Sequence, residues 1–327
     1  MTGQDWPTAC GLIGGVIADA VLGDPAHGHP VALFGQAMTA LEARLYADQA
    51  APGIAYAGAG LTLGAAPALA ATFLAHRSAV GRTAVTAVTT WAVTASRSLA
   101  VAADRIGAAL LAGDLPGARA GLPSLCGRDP QDLDEAELTR AVIESVAENT
   151  SDAIVAPLIW GGLAGPAGLA AYRAVNTLDA MVGHHSPRYE RFGRASARTD
   201  DVANWLPARV TALLAAACAP LVGGSTAVTW QAAQQYGPRH PSPNAGWCEA
   251  AFAGALGLRL GGTLSYAGRT EHRPEMGTGP APRPADIRRA VRLSRAITAS
   301  ATVLAAALAA AGRTGDTRTS ANGLTER

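Results

Sequence analysis

This chain reads as an all-α, polytopic membrane protein, on three observations. Hydrophobic residues make up 49% of its 327 residues and charged residues 16%, well below the ~25% charged of an ordinary soluble domain. Residues 53–75 carry no charge, and about 20 apolar residues suffice to cross a hydrocarbon core. Two further apolar runs are interrupted near their middles by Pro and Gly, as in helices that break within a membrane where the backbone lines a cavity.

The elements follow in order. Residues 11–22 form an apolar segment holding Asp19, too short to span securely and better suited to an embedded or interfacial piece. No Lys or Arg precedes Arg44 and the first apolar run carries Asp19, which argues against a cleaved leader. The first span is 53–75, and 80–95, which holds only Arg82, returns as the second arm of a hairpin. A helix over 134–149 has acidic residues in its first turn, where the dipole favours them. Residues 153–171 contain Pro157, Gly161, Gly162, Gly165 and Pro166, and residues 210–228 contain Pro220, Gly223 and Gly224. Both are expected to be re-entrant hairpins or buried helices. Full spans there would put the polar stretches 97–152, 172–209 and 231–295 on alternating sides, and one active site cannot straddle a membrane. Helical polar stretches on one face are therefore expected, and their arginines favour the cytoplasmic side of the cell membrane. An apolar helix over 301–311 closes a single membrane-embedded domain, 1–312, before a disordered polar tail, 313–327.

Composition also excludes chemistries. All 26 basic residues are arginine. A P-loop needs a lysine for its phosphates and a pyridoxal-phosphate enzyme needs one for its Schiff base, so phosphate must be held by arginine, backbone N–H groups or a carboxylate-bound metal. A formal net charge of +1 provides no field for nucleic acid. Cys10, Cys126, Cys218 and Cys248 form no CxxC pair and suggest neither zinc nor a disulfide framework.

Candidate chemistry lies in the polar stretches. Glu144 and Glu148 stand one helical turn apart, a repulsive pair unless a divalent cation or an arginine sits between them. Asn149 and Asp152 extend the acidic patch to the edge of an apolar run, where charge is costly unless used. A solvated helix face is the plain alternative. Asn176, Asp179, Arg188, Arg198, Asp200, Asp201, Asn204 and Arg209 crowd residues 172–209, mixing arginine forks with carboxylates and amides; a basic loop on anionic lipid would explain the arginines alone. Asn244, Trp247 and Glu249 combine an indole and an acid suited to a flat polar ligand. His29, in a turn after Asp24-Pro25, lacks metal-ligand spacing and is a candidate substrate contact only.

In combination these motifs resemble the CobD/CbiB family of cobalamin biosynthesis. The resemblance rests on Asp19, Gly23-Asp24-Pro25, His29-Pro30-Val31, Arg128-Asp129, Glu144-Ser-Val-Ala-Glu148-Asn149-Thr150, Asn176-Thr-Leu-Asp179, Ala197-Arg198-x-Asp200-Asp201-Val-Ala-Asn204, Pro207-Ala-Arg209, Asn244-Ala-Gly-Trp247 and Arg259-Leu-Gly-Gly262. It implies an adenosylcobinamide-phosphate synthase. Such a ligase condenses adenosylcobyric acid with (R)-1-amino-2-propanol or its O-phosphate, using ATP and magnesium. The pyridoxal-phosphate decarboxylase that shares the CobD name is excluded by the absence of lysine. Glu144, Glu148, Asp152, Asp179, Asp200 and Asp201 then form the pool of metal ligands and bases, with their roles open. Arg188, Arg198 and Arg209 are phosphate candidates and Asn149, Asn176 and Asn204 are cofactor contacts. His29, Asn244, Trp247 and Glu249 are substrate contacts, Trp247 serving as a corrin platform. The lipid bilayer, other late enzymes of the pathway and further copies of the chain are the partners implied. Ser186-Pro187, where the family more often has Asn-Glu, and Cys248, where Pro is common, depart from the pattern. A corrinoid transporter or binding module is the competing class, since broken helices also mark transport sites.

Overall fold

The computed structural model describes residues 5–25, 28–184, 186–266 and 269–311, and their side chains outside 263–272. The expected tail lies outside the described residues. Helix α1 (Trp6–Leu22) starts on Asp5, with Pro in its first turn. It is followed by α2 (Pro30–Leu45), α3 (Ala50–Leu74), α4 (Ala79–Val93) and α5 (Ser96–Leu111). Helix α3 is the uncharged run, and Ile54, Leu61, Leu63, Leu69 and Phe73 are exposed along it, as a lipid-facing helix requires.

The α3–α4 hairpin needs correction. Helix α4 does turn back after α3, but its packed face belongs to α1. Gly11 and Gly15, four residues apart, explain this: a Cβ at Gly11 would run into Thr86 and the Thr83 carbonyl, and one at Gly15 into Thr90 and the Ala87 carbonyl. Small residues at this spacing let two helix backbones approach closely. The end of α1 is fastened to α5 by buried Asp19. Its carboxylate accepts the N–H groups of Ser96 (3.0 Å) and Arg97 (3.3 Å) and the Ser96 hydroxyl, an N-cap supplied from another helix.

After α6 (Leu115–Gly121), helix α7 (Glu135–Thr150) begins with a reciprocal capping box between Asp134 and Glu137. It runs on through a π-helical turn, Ser151–Val155, into α8 (Ala156–Leu178) and a second π-turn, Asp179–Gly183. Gly165, at φ 65° and ψ −153°, breaks α8 ahead of Pro166. A Cβ at Gly161 would strike Leu169, and one at Gly168 the Trp160 backbone. Residues eight apart thus lie side by side, where a straight helix would hold them ~12 Å apart. The expected hairpin at 153–171 is present. The arm entering it continues unbroken from α7 through the π-turn, and Gly165 with Pro166 turns the chain back at its end.

Helix α9 (Arg194–Cys218) ends in a 3₁₀ turn, Ala219–Val222, and left-handed Gly223 (φ 81°), before α10 (Thr226–Tyr236). The break expected in 210–228 therefore falls at Pro220 and Gly223. Buried α11 (Ala245–Leu256) leads to β1 (Leu260–Tyr266) and β2 (Arg269–Met276), which pair antiparallel. This hairpin adds a strand pair to the helical polar stretches expected, within 231–295. Gly261 and Gly262 sit at φ 81° and 88°, where L-residues are disfavoured and no helix can run. Helix α12 (Pro284–Ala311) packs along α8, α1, α5 and α7.

The chain is a polytopic, all-α membrane protein with one β-hairpin. Among the described residues four helical stretches can cross a membrane by length and composition: Ala50–Leu74, Glu135–Gly183, Arg194–Val222 and Pro284–Ala311. The second of these is the stretch folded at Gly165.

Candidate active site

Residues from all three polar stretches meet where α7, the ends of α8, α9 and α11 converge. On α7 the spacing of Glu144, Glu148 and Asp152 repeats the helical turn, and the π-turn at Ser151–Val155 begins as this acidic row ends. Such π-turns recur at functional sites because the widened turn re-aims side chains. Asp179 opens the other π-turn, at the far end of the α8 hairpin.

These carboxylates differ in what holds them. Glu144 is buried and fully engaged. Its Oε2 accepts from Arg128 Nη2 at 2.9 Å, its Oε1 accepts the Gly261 N–H at 2.8 Å, and Arg140 Nε lies 4.0 Å away. Both arginines engage Glu144 and neither bridges it to Glu148, so Glu144 is a clasp for the β-hairpin rather than an open metal ligand. Asp200 is positioned by two amides, accepting from Asn204 Nδ2 at 2.9 Å and Asn176 Nδ2 at 3.4 Å. The Asn204 carbonyl in turn accepts from the Tyr172 hydroxyl at 2.8 Å.

Glu148, Asp152, Asp179 and Asp201 are different. Among the described residues none of the four accepts a side-chain hydrogen bond or has a cation within 4 Å. Asp152 lies in the field of Asp200, Glu148 and Asp179, and Asp179 in that of Asp201. An all-oxygen set of unneutralised acids suits a hard divalent cation. Among the described residues no three His, Cys, Asp or Glu side chains close around one point, which suits magnesium held by one or two carboxylates and completed by phosphate oxygens and water.

Glu249, on α11, adds a buried acid with Arg273 at 3.9 Å and His240 at 4.0 Å. Neither of its oxygens accepts a hydrogen bond. Burial, reinforced by Glu144 and Glu148 and opposed by Arg273 and Arg128, pushes its carboxyl well above the ordinary 4.5. Burial likewise raises the neighbouring Cys248 thiol.

Other candidates are placed elsewhere or differently. Arg209 donates to the Trp205 carbonyl and to Asn244 Oδ1, both at 2.9 Å, and stacks on Trp205 (4.6 Å) and Trp247 (4.9 Å). Trp247 packs on Trp230 and Gly237, so it and Glu249 serve separate clusters. The Asn244 amide donates to the Asp201 carbonyl at 2.8 Å, tying α11 to α9. Arg198 is exposed on α9, and Asn149 donates back to the Ser145 carbonyl. Arg188 departs from its expected phosphate role: it pairs with Glu42 at 3.0 Å and lies 4.1 Å over the Tyr46 ring, fastening the segment before α9 to α2. His29 caps α2 through Nδ1, with Nε2 3.8 Å from Asp24.

A model of the family described as CobD/Cbib protein matches residues 12–294. The chain belongs to the CobD/CbiB family. It is 48% identical over 309 residues to a Mycobacterium tuberculosis protein (strain CDC 1551 / Oshkosh) named "Cobalamin biosynthesis protein CobD", covering 94% of this chain and 98% of the relative. A Geobacter metallireducens protein of the same name is 44% identical over 269 residues, covering 80% and 84%. One from Rhodobacter capsulatus is 48% identical over 215 residues, covering 65% and 67%. No solved structure matches.

Within this CobD/CbiB chain, sequence reasoning missed Arg140, Arg273, His240 and Tyr172 as residues of the site. Arg273 lies on a strand that no periodicity announced, and Tyr172 was legible only as the polar end of an apolar run. Arg128 belongs to a quoted motif, but its pairing with Glu144 spans a loop whose path the sequence does not specify.

Proposed function

We propose that this CobD/CbiB chain is an ATP-dependent acid–amine ligase of cobalamin biosynthesis. It joins adenosylcobyric acid to (R)-1-amino-2-propanol or its O-phosphate at the membrane, with the acidic cluster facing the cytoplasm. The observation that carries this reading is the set of four carboxylates, Glu148, Asp152, Asp179 and Asp201, that have no ion-pair partner among the described residues and lie beside amide-held Asp200. Unpaired acids in one another's field cost free energy, and nucleotide-dependent ligation gives that cost a use.

A carboxylate does not react with an amine until one oxygen becomes a leaving group. Transfer of the terminal phosphoryl group of ATP to the corrinoid carboxylate makes an acyl phosphate and ADP. The amine nitrogen then attacks the acyl carbon, the C–N bond forms, the C–O bond to phosphate breaks, and inorganic phosphate leaves. Asp152, with Glu148 or Asp179 as a second carboxylate, would hold magnesium, which when bound would offset phosphate charge. Arg198, exposed on α9, is available to the transferred phosphoryl group. Asp200, whose orientation the two asparagines fix, takes a proton from the incoming ammonium, since an amine attacks only as its free base. Arg209, held between two indoles and Asn244, presents a pre-ordered guanidinium with little left to lose in rotamer entropy.

The test is turnover by detergent-purified protein given adenosylcobyric acid, ATP, magnesium and either amine, with corrinoid and nucleotide products identified by mass. Amide with ADP supports the reading, and comparison of the amines identifies the acceptor. Amide with AMP would replace acyl phosphate by acyl adenylate. Tight corrinoid binding without amide would overturn the ligase in favour of a binding or transport protein.

A further inference from the structure

Helices α2, α3, α4 and the second arm of α8 line a cavity of about 450 Å³ that opens to the surface, within the ~300–1,000 Å³ of small-molecule sites. Its walls include Phe34, Leu63, Pro67, Val88 and Val93, and nearly all its lining is apolar. The exception in charge is Arg173. Among the described residues this guanidinium has no carboxylate within 4 Å and donates no side-chain hydrogen bond, and its Nε is buried without a partner. Asp24 and Asp152 act on it only at longer range. A cation facing an apolar cavity with no counter-ion in contact is costly unless an anion completes it.

The cavity has a polar end and an apolar end. Arg173 lies near the C-terminus of α1, the N-terminus of α2 and the C-terminus of α4, as its proximity to Asp24 and the shared lining by Pro30 and Val93 require. From there the walls run along Leu63, Pro67 and Ala71 of α3 and back from Val93 to Val88 of α4. On α3, the flanking Leu61, Leu69 and Phe73 are exposed, so the cavity lies beside a lipid-facing helix. We propose that it is a binding site for one anionic phospholipid, its phosphate paired with Arg173 and an acyl chain laid between α3 and α4. The charge of the headgroup completes Arg173, and the chain fills space that water would occupy poorly. This site is independent of the ligase reading.

Native mass spectrometry of the full-length protein, released from detergent after incubation with equal phosphatidylglycerol and phosphatidylcholine, tests the proposal. The wild-type chain is expected to retain one phosphatidylglycerol in at least tenfold preference. Arg173→Met should abolish that preference, and Ala92→Phe, which fills the cavity without altering charge, should abolish retention. Adding excess glycerol 3-phosphate should leave the lipid in place, because the headgroup alone lacks the chain. Equal retention of both lipids by wild type, unchanged preference in Arg173→Met, or displacement by glycerol 3-phosphate would each overturn it. An unchanged thermal midpoint in detergent identifies variants that remain folded, and where Arg173→Met fails to fold, Ala92→Phe and the competition decide.

Discussion

Glu144 accepts the backbone N–H of Gly261 at 2.8 Å while its other oxygen accepts from Arg128 at 2.9 Å. One buried carboxylate thus joins α7, the loop before it and the base of the β-hairpin. Removing one partner of such a pair leaves an uncompensated buried charge, which costs about 3–5 kcal/mol. Glu144→Ala and Arg128→Met should each lower the thermal midpoint in detergent by several degrees. The double variant should lose much less than the sum of the two, because neither charge is then stranded. Additive losses would show that the two residues do not act as a pair.

Glu148 and Asp152 predict the opposite sign. Among the described residues no cation within 4 Å neutralises either, so Glu148→Gln and Asp152→Asn remove repulsion without breaking a described contact. In magnesium-free buffer both should melt at or above the wild-type temperature, a gain on the order of 1 kcal/mol or less. Both should lose ligase turnover by at least a hundredfold, and wild-type stabilisation by added magnesium should shrink in each. A drop in midpoint without magnesium would assign these acids a structural role.

How much of this was legible beforehand depends on the range of each interaction. The capping box at Asp134 and Glu137, the break at Gly165-Pro166 and the uncharged α3 are local, and residue type at fixed spacing identifies them. The row Glu144, Glu148, Asp152 was equally legible as one helix face. What spacing does not carry is which acid finds a partner. Arg128 reaches Glu144 across an irregular loop, and Gly261 reaches it across 117 residues; by contrast, among the described residues no cation comes within 4 Å of Glu148. Arg188 looked like a phosphate ligand because its commitment to Glu42 arises only when α2 folds against the segment before α9.

Gly165 isolates conformation from space. Its φ of 65° and ψ of −153° lie in a region essentially restricted to glycine, and nothing stands within 4 Å of where a Cβ would be. Gly165→Ala should therefore cost about 1–3 kcal/mol from backbone strain alone. Gly35→Ala, in a helix with equally open surroundings, should be neutral or stabilising, since alanine is the better helix former. Equal midpoints for the two variants would mean that the α8 hairpin does not depend on its hinge glycine.

Asn204 connects Asp200 to the Tyr172 hydroxyl. Asn204→Ala leaves both groups short of a partner at a buried position, at a cost of about 1–3 kcal/mol, and frees Asp200 to rotate. Turnover should fall with the KM for the amine little changed, because orientation of the base rather than amine binding is lost. Asn204→Asp keeps an acceptor for Tyr172 but adds a carboxylate against Asp200, so it should be the worse of the two. A KM effect with unchanged kcat would place Asn204 in amine binding instead.

Glu249 supplies the pH-dependent case. Its carboxyl is raised well above 4.5, chiefly by burial, so the folded state holds a proton that the unfolded state releases. The associated stability is fully present below about pH 4.5 and declines as pH rises toward the folded-state value. Glu249→Gln keeps the shape and removes the titration. The midpoint of wild type minus that of Glu249→Gln should become steadily more negative from pH 5 to pH 8, measured by thermal unfolding in one detergent. At pH 5 a protonated-carboxyl C=O band should be present in wild-type infrared spectra and missing from the variant. A flat midpoint difference would mean that Arg273 and Arg128 keep Glu249 ionised throughout, and the acid would then be a fixed charge beside the cluster rather than a proton carrier.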